Sequence, residues 1–228
     1  MGLFVAIEGG DGSGKATQTA KYYEYAKTRG YTIEKLSFPR YGEPSAYYVE
    51  RYLNGDYGQP DDVSAELGSL PYAIDRFAAS SEIRKQLEKP EGMVISDRYI
   101  ASNLAHQGAK IDDAKKRKVF YERTMLTEYE VLGIPRPTIN IVLIMPTALA
   151  QQNVDKKSAR SYTILKRDIH EADANHLEKA KRNFEELCAL YPKEFQPVYC
   201  TDKRGDLRPM DEIHKEICGI IDRLHALS

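Results

Sequence analysis

Short apolar runs recur along the chain, each followed by residues that break regular structure. The first, residues 3–7 (LFVAI), is uninterrupted and stops at Glu8, which is typical of a buried parallel strand leading into a glycine loop. Apolar runs predict strands at residues 3–7, 92–97, 139–145 and 195–200, and the alternating segment at residues 31–38 predicts another. Because Pro197 cannot donate a ladder hydrogen bond, the last strand is predicted to lie at a sheet edge.

Stretches of helix length separate these runs. They predict helices over residues 17–28, 45–53, 63–87, 101–107, 112–132 and 209–227, and two more that begin near residues 147 and 168. Strands that alternate with helices predict an α/β fold, a parallel sheet with helices on both faces. The length of 228 residues and the lack of a linker favour one domain over residues 1–228.

Charge and cysteine content narrow the class of protein. The 33 basic and 34 acidic side chains give a net charge of −1, which excludes a general attraction to nucleic acid or to an anionic membrane. The three cysteines lack CxxC spacing and indicate neither a disulfide framework nor a zinc site. No apolar run is long enough to span a bilayer. We therefore expect a cytoplasmic protein with no nucleic-acid or membrane partner.

A phosphate-binding loop follows the first predicted strand. The spacing from Gly9 to Gly14 and Lys15 matches the P-loop pattern GxxxxGK[ST], in which backbone N–H groups and a helix N-terminus surround an anion. A chance glycine turn is the alternative, disfavoured because strand, lysine and helix are all in register. The residues predicted to bind ATP are Gly9, Gly10, Asp11, Gly12, Ser13, Gly14, Lys15, Ala16 and Thr17.

The P-loop departs from its pattern at Ala16, where a Mg²⁺-binding hydroxyl is expected. Thr17 lies one residue further, and a step of about 100° around the helix turns it away from the metal. Mg²⁺ is therefore expected to be held by phosphates, water and carboxylates from elsewhere. Asp97, which ends the third strand, is one candidate, and the adjacent Arg98 can bind phosphate oxygens. The alternative is a salt bridge at the strand end.

Two further segments carry candidate binding residues. Arg40 and Tyr41 follow the second strand at the carboxyl edge of the predicted sheet, near the phosphate loop. Tyr72 and Arg76 are four residues apart in a predicted helix, so they share a face that can stack on a planar base and hydrogen-bond its edge. Spacing alone favours the alternative of a core tyrosine and a solvated arginine.

A basic segment at residues 155–167 precedes an acidic helix. A lid over a polyphosphate requires such cations, because closure excludes water and leaves phosphoryl charge to be stabilised. The candidate lid cations are Arg160, Lys166 and Arg167. An exposed charged loop is an equally good interpretation of this segment on local grounds.

Together these segments resemble the thymidylate kinase family. The motifs are FVAIEGGDGSGK, FPRYGEPSA, YAIDR, DRYIASNLAHQGAK and RDIHEAD, which extend over most of the chain. The resemblance implies a P-loop NTPase-type three-layer fold with a five-stranded parallel sheet and a short basic lid. It also implies transfer of the ATP γ-phosphoryl group to dTMP in dTTP synthesis, giving dTDP and ADP, with Mg²⁺ and a homodimer.

The resemblance also implies roles for individual residues. Lys15, Arg98, Arg160 and Asp11 would be catalytic, and Asp97 and Glu171 would contact the metal through water. Gly12 stands next to Asp11 where some members carry an arginine, so the catalytic cation would come from the lid. The residues implied to bind dTMP are Asp11, Phe38, Pro39, Arg40, Tyr41, Tyr72, Arg76, Arg98, Ser102, Asn103, His106 and Gln107.

Within the implied dTMP site, Arg40 and Arg98 would bind the acceptor phosphate, and Tyr72 would stack on thymine. Arg76, Asn103 and Gln107 would meet the base edge. Tyr41 would crowd the 2′ position, and His106 occupies a position that is commonly Tyr.

Three other functions remain open on the sequence. The first is a kinase for dUMP, dCMP or a nucleoside. Activity on dUMP in particular stays open, because thymine and uracil differ by one methyl, worth about 1 kcal/mol. A GTPase-like switch is disfavoured because an NKxD-like guanine motif is absent. A non-catalytic member of the family is the third possibility, and Ala16 is its only support.

Overall fold

A parallel sheet forms the centre of the protein. The computed structural model describes residues 2–59, 62–155 and 174–225. Within them the strands are β1 Leu3–Gly9, β2 Thr32–Ser37, β3 Gly92–Asp97, β4 Ile139–Ile144 and β5 Phe195–Tyr199, in the order β2-β3-β1-β4-β5. Every pairing in this sheet is parallel, which confirms the predicted fold class. Pro197 lies in the edge strand β5, as predicted.

Helices cover both faces of the sheet. Those in the described residues are α1 Lys15–Thr28, α2 Tyr47–Leu53, α3 Ala65–Leu87, α4 Ile100–Gly108, α5 Ala114–Met125, α6 Thr147–Asp155, α7 Ala174–Leu190 and α8 Met210–His225. A 3-10 turn at Pro44–Ala46 precedes α2, and a π-helical segment at Leu126–Val131 continues α5. No helix in these ranges is long and apolar enough to cross a membrane.

The central strands bury both of their faces, and two apolar clusters result. Phe4, Ala6 and Val94 point to a core shared with α3, α4, α5 and α7. Val5 and Ile95, on the opposite face, pack with residues of α1 and α8. This double burial is the reason that β1, β3 and β4 have nearly continuous apolar sequences.

Several predicted boundaries are corrected by the structure. The helix expected at residues 45–53 is divided into the 3-10 turn and α2. The helix expected at 112–132 begins at residue 114, because the Asp113 side chain accepts hydrogen bonds from the N–H groups of Lys115 and Lys116 and so caps it. The predicted lid at residues 155–167 falls almost entirely outside the described residues.

The sheet brings the candidate chemistry to one edge. β1 lies between β3 and β4, and Ile7 of β1 pairs with Asp97 at the end of β3. The loops that leave the carboxyl ends of β1, β2 and β3 therefore meet beside the phosphate loop. In open parallel sheets this is the edge at which ligands bind.

Candidate active site

The phosphate loop joins β1 to α1, and a buried lysine is its main cation. Gly14 has a left-handed backbone with φ of 93° and precedes the first residue of α1, Lys15. The Lys15 ammonium donates a 2.7 Å hydrogen bond to the carbonyl of Gly10. Burial, aided by the nearby Arg98, lowers the pKa of Lys15 to about 8. Lys15 therefore loses its proton at a lower pH than an exposed lysine does.

Gly12 explains why the phosphate loop carries no arginine of its own. A Cβ atom at Gly12 would lie 2.0 Å from the backbone oxygen of Ala150 in α6, and its φ is 77°. Its carbonyl accepts a hydrogen bond from the Asn153 side-chain amide at 2.9 Å. A larger residue would have to push α6 away, so any further cation must reach the site from another segment.

Arg98 is the second cation of the site and has an unusual backbone. Its φ of 67° is left-handed, which is costly for a residue with a long side chain and is concentrated at functional sites. Its guanidinium forms an ion pair with Asp11 at 2.5 Å and donates to Ser102 Oγ at 3.0 Å. Burial opposes its charge, but the carboxylates of Asp11, Asp97 and Glu8 outweigh burial and raise the pKa of Arg98. Arg98 therefore stays charged, and its partner is Asp11 rather than the adjacent Asp97.

Glu8 fixes the position of α4, a role that the sequence did not reveal. Its buried carboxylate accepts hydrogen bonds from the N–H groups of Tyr99, Ala101 and Ser102 at 2.8, 2.9 and 3.2 Å. It also accepts the Ser102 hydroxyl at 2.6 Å. Burial raises the pKa of Glu8, against the lowering effect of Ser102 and Arg98. The phosphate-loop strand thus holds the start of the helix that follows Arg98.

A cleft of about 340 Å³ opens beside these cations. It contains eleven of the twelve residues implied to bind dTMP, together with Gly12, Gly14, Lys15 and Ala16 of the phosphate loop. Thr17 is exposed and does not line it in the described structure, in agreement with the predicted turn of the helix. The lining residues are Asp11, Gly12, Gly14, Lys15, Ala16, Ser37, Phe38, Pro39, Tyr41, Leu53, Tyr72, Arg76, Asp97, Arg98, Tyr99, Ser102, Asn103, His106 and Gln107.

Arg40 is the implied dTMP residue that is absent from the lining in the described structure. Its backbone N–H and its Nε donate to the Asp75 carboxylate at 2.7 and 3.0 Å, and its NH2 donates to Ser45 Oγ at 2.8 Å. Asp75 is buried and also accepts the Ser45 hydroxyl. In this arrangement Arg40 anchors its own loop to α3.

Arg76 lies deep in the wall of the cleft. Only 2% of its surface is exposed, so the interpretation of a solvated arginine is wrong. Its Nε and NH2 each donate to the Glu128 carboxylate at 2.7 Å. Tyr72 lines the same cleft, as the four-residue spacing predicts. Glu128 comes from the π-helical segment, 52 residues away, and no local pattern identifies it.

His106 contributes an imidazole to the cleft. It stacks on His176 with ring centroids 5.8 Å apart and meets the edge of Phe184. Burial, with Arg98 and His176 nearby, lowers the pKa of His106 to about 3. The ring is therefore neutral at physiological pH and adds no charge to the cleft.

Among the residues that the structure describes, Asp97 is the carboxylate that best fits a metal. It lines the cleft, and its buried Oδ1 receives no hydrogen bond within the described residues. No group of three or more His, Cys, Asp or Glu side chains in these residues could hold a metal by itself. Mg²⁺ commonly binds through one or two carboxylates, water and substrate phosphates, so one carboxylate is compatible with it. Glu171, Arg160, Lys166 and Arg167 lie outside the described residues.

Comparison with known proteins identifies the family. The thymidylate kinase family model matches residues 7–210. The chain belongs to the thymidylate kinase family. This membership confirms the resemblance of the sequence motifs, and it makes a chance glycine turn and a GTPase-like switch untenable.

Individual thymidylate kinases are similar over most of the chain. The enzyme of Mycobacterium tuberculosis (strain H37Rv) is 30% identical over 190 residues, which cover 82% of this chain and 86% of the relative. That of Bifidobacterium longum (strain DJO10A) is 28% identical over 198 residues, or 86% of this chain and 89% of the relative. The structure of thymidylate kinase from Candida albicans superposes with a TM-score of 0.70 at 21% identity, covering 97% and 92% of the two chains. That structural likeness supports the fold alone.

Proposed function

We propose that this chain transfers the γ-phosphoryl group of ATP to the 5′-phosphate of dTMP, giving dTDP and ADP for dTTP synthesis. The observation that carries the proposal is the composition of one cleft. Lys15 and Arg98 line the same cleft as Arg76, Asn103 and Gln107, and the volume of about 340 Å³ suits a nucleotide. Family membership supports the same reaction.

The cations act by binding and by stabilising charge. Both substrates are anionic and repel each other, and phosphoryl transfer needs little covalent chemistry from the protein. Lys15 and the amides of the phosphate loop would hold the ATP phosphates. Arg98, aimed by Asp11 and Ser102, would bind the acceptor phosphate and hold it in line with the donor. No side chain needs to act as a nucleophile.

The remaining cleft residues would bind the nucleoside. Tyr72 would stack on thymine, and Arg76, Asn103 and Gln107 would hydrogen-bond its edge. Phe38, Pro39, Tyr41, Ser102 and His106 would surround the sugar and phosphate, with Tyr41 disfavouring a 2′-hydroxyl.

Asp97 would hold Mg²⁺ together with water and the ATP phosphates. When bound, Mg²⁺ offsets phosphate charge without a P-loop hydroxyl. We assign Glu171 to the shell of the same ion. Arg160, Lys166 and Arg167 would close over the phosphates as a lid, a role supported by the lack of space for a cation at Gly12. Without added Mg²⁺, and with EDTA present, phosphoryl transfer should stop.

We also assign a homodimer to this chain. Leu67, Leu70, Ile74 and Phe77 follow one another along one face of α3 and are between 45% and 62% exposed. Contiguous apolar surface of this kind marks protein–protein contact. A second copy of the chain would cover it.

A panel of acceptors tests the proposed reaction. ADP formation from Mg-ATP should be measured with dTMP, dUMP, dCMP, dGMP, dAMP, UMP and buffer alone. Strong preference for dTMP is the expected result, and it would show that Ala16 leaves metal use intact. Turnover with a different acceptor in first place would contradict the proposed substrate. Turnover with none would favour a non-catalytic protein, and Ala16→Thr would then test whether the missing hydroxyl is the cause.

A further inference from the structure

Two buried amide atoms of the cleft lack partners. Asn103 Oδ1, an acceptor, and Gln107 Nε2, a donor, have no hydrogen bond within the described part of the chain. Both residues line the cleft. An unpaired buried polar group is costly, so such atoms indicate that a ligand completes them. Each amide turns either its oxygen or its nitrogen toward the cleft, and this orientation determines which ligand can bind there.

The orientation of Asn103 is set by acceptors behind the cleft. Its Nδ2 donates to the carbonyl of Ser69 at 3.3 Å and to Glu128 Oε1 at 3.2 Å. Both partners can only accept, so the nitrogen must face them and Oδ1 must be the unpaired atom. Glu128 itself is buried and is not among the residues that line the cleft in the described structure.

Glu128 aligns Arg76 by the same carboxylate. Oε1 accepts from Arg76 NH2 and Oε2 from Nε, each at 2.7 Å. NH1 keeps one contact in the described residues, a long 3.4 Å hydrogen bond to the Tyr99 carbonyl. The Glu128 carboxylate thus binds the nitrogens of Asn103 and Arg76 that face it. Asn103 Oδ1 is left as an acceptor for a ligand, and Arg76 NH1 as a donor.

The orientation of Gln107 is set by a tyrosine. Tyr52 accepts a hydrogen bond from Lys110 Nζ at 2.8 Å and donates its own proton to Gln107 Oε1 at 3.3 Å. Gln107 Nε2 is therefore left as the unpaired donor. Gly68 makes the arrangement possible, because a Cβ atom there would lie 2.3 Å from Gln107 Oε1.

We propose that Glu128 and Tyr52 are positioning residues that fix the donor–acceptor pattern of the cleft, and that this pattern selects a carbonyl–imide pyrimidine over an aminopyrimidine. The proposal rests on the proposed function, whose acceptor is dTMP. Thymine and uracil present O4 as an acceptor beside the N3–H donor, which matches Arg76 and the oxygen of Asn103. Cytosine presents an N4 amino donor beside an N3 acceptor. In the same position, cytosine would place its N4 donor against the Arg76 donor and its N3 acceptor against the Asn103 oxygen.

The test compares dUMP with dCMP, because these acceptors lack the thymine methyl and differ only at the edge in question. Their kcat/KM ratio should be measured for the wild type and for Glu128→Gln. The introduced amide places an NH₂ group against Asn103 or against Arg76, both of which are donors there. The ratio of kcat/KM for dUMP to kcat/KM for dCMP should therefore fall by about tenfold or more in Glu128→Gln. A ratio is independent of the fraction of folded enzyme, so a purely structural role would leave it unchanged.

Glu186→Gln is the matched control. Glu186 accepts two hydrogen bonds from Arg117, at 2.7 and 3.1 Å, in an ion pair outside the cleft. Its loss should leave the ratio at the wild-type value. An unchanged ratio in Glu128→Gln, or an equal fall in Glu186→Gln, would overturn the proposal.

Tyr52→Phe provides a second variant in case Glu128→Gln does not fold. It removes the hydroxyl that orients Gln107, and the ratio should fall by about threefold or more. An unchanged ratio would overturn the role of Tyr52, and would overturn the whole proposal if Glu128→Gln does not fold. A failure of the proposed function would be seen in the wild type itself. A wild type that phosphorylates neither dTMP nor dUMP would contradict the proposed reaction and, with it, the roles of Glu128 and Tyr52.

Discussion

Buried Lys15 and partly buried Arg98 face the same cleft, but their pKa values are shifted in opposite directions. Arg98 lies among Asp11, Asp97 and Glu8, which raise its pKa against the effect of burial. Lys15 is subject to burial and to the like charge of Arg98, which lower its pKa to about 8. The phosphate loop thus has a cation whose charge depends on pH, next to one whose charge does not.

Binding of ATP should therefore weaken above pH 8. Free enzyme carries neutral Lys15 above its lowered pKa, whereas bound phosphates favour the charged form, so binding at high pH requires proton uptake. The Kd for a non-hydrolysable ATP analogue should be flat from pH 7 to about pH 8 and then rise, approaching tenfold per pH unit. Calorimetric titration between pH 7 and 9.5 measures it. A Kd that stays constant to pH 9.5 would contradict this account of Lys15.

Replacement of Arg98 should impair dTMP use selectively. Arg98→Ala would remove the charged hydrogen bonds proposed to bind the acceptor phosphate, and kcat/KM for dTMP should fall by an amount equivalent to about 2–3 kcal/mol of transition-state binding. Arg136→Ala is the control, because its half-exposed guanidinium pairs with Glu130 and Glu194 on the surface. Unchanged kcat/KM in Arg98→Ala would remove Arg98 from the site.

Residue types at this site were easier to predict than their partners. The motifs identified Lys15 and Arg98 because phosphate loops and strand ends are local features. The sequence motif implies that Arg40 binds a phosphate, whereas in the structure its guanidinium forms an ion pair with Asp75 of α3. Such a pairing depends on which distant carboxylate the fold brings near, and the sequence spacing does not encode it.

The start of α4 is the element on which the geometry of Arg98 depends. Arg98 occupies a left-handed backbone between β3 and α4, and its N–H donates to the carbonyl of Ile7. The Glu8 carboxylate then receives the first N–H groups of α4, as a helix N-cap would. Strand β1 therefore leads into the phosphate loop and also fixes the backbone on both sides of Arg98.

Loss of the Glu8 carboxylate should loosen this element. Glu8→Gln places an amide NH₂ against backbone donors, so the free energy of unfolding should fall by about 1–3 kcal/mol. Chemical denaturation measures that change, and Glu130→Gln on the exposed side of the π-helical segment should leave it within about 0.5 kcal/mol. Equal stability of Glu8→Gln and the wild type would show that these hydrogen bonds do not hold α4.

Elements were predicted well where local chemistry decides them. Nearly continuous apolar runs located β1, β3 and β4 because both faces of these strands are buried, and Pro197 located an edge. Boundaries failed where a side chain or a turn intervened, as at Asp113 and at Pro44–Ala46. The π-helical segment places Glu128 behind the cleft, against Arg76 and Asn103. The plain helix expected at residues 112–132 did not indicate a buried carboxylate at this position.

At the scale of the whole molecule, sheet order decides the site. The central position of β1 brings loops from β2 and β3 to the phosphate loop, so residues from 11 to 107 line one cleft. The assignment of residues 1–228 to one domain stays a prediction, as does the cytoplasmic location. The dimer is the other whole-molecule proposal, and α3 connects it to the cleft because Tyr72 and Arg76 lie on the same helix.

A charge in the apolar stripe of α3 should separate the dimer. Ile74→Asp places a carboxylate in the middle of the proposed contact, and light scattering after gel filtration should change from about twice the chain mass to the chain mass. Val131→Asp, at a surface position that is 73% exposed outside this stripe, is the control and should keep the larger mass. A wild type that is monomeric at micromolar concentration would contradict the homodimer.

The most direct test of the central claim follows the phosphoryl group itself. The wild-type chain should be incubated with Mg²⁺, dTMP and ATP labelled in its γ-phosphoryl group, and the nucleotides then separated. The account predicts that the label appears in dTDP in equal amount to the ADP formed, and that little ADP forms without acceptor. Label released as inorganic phosphate, or ADP formed equally with and without dTMP, would contradict it.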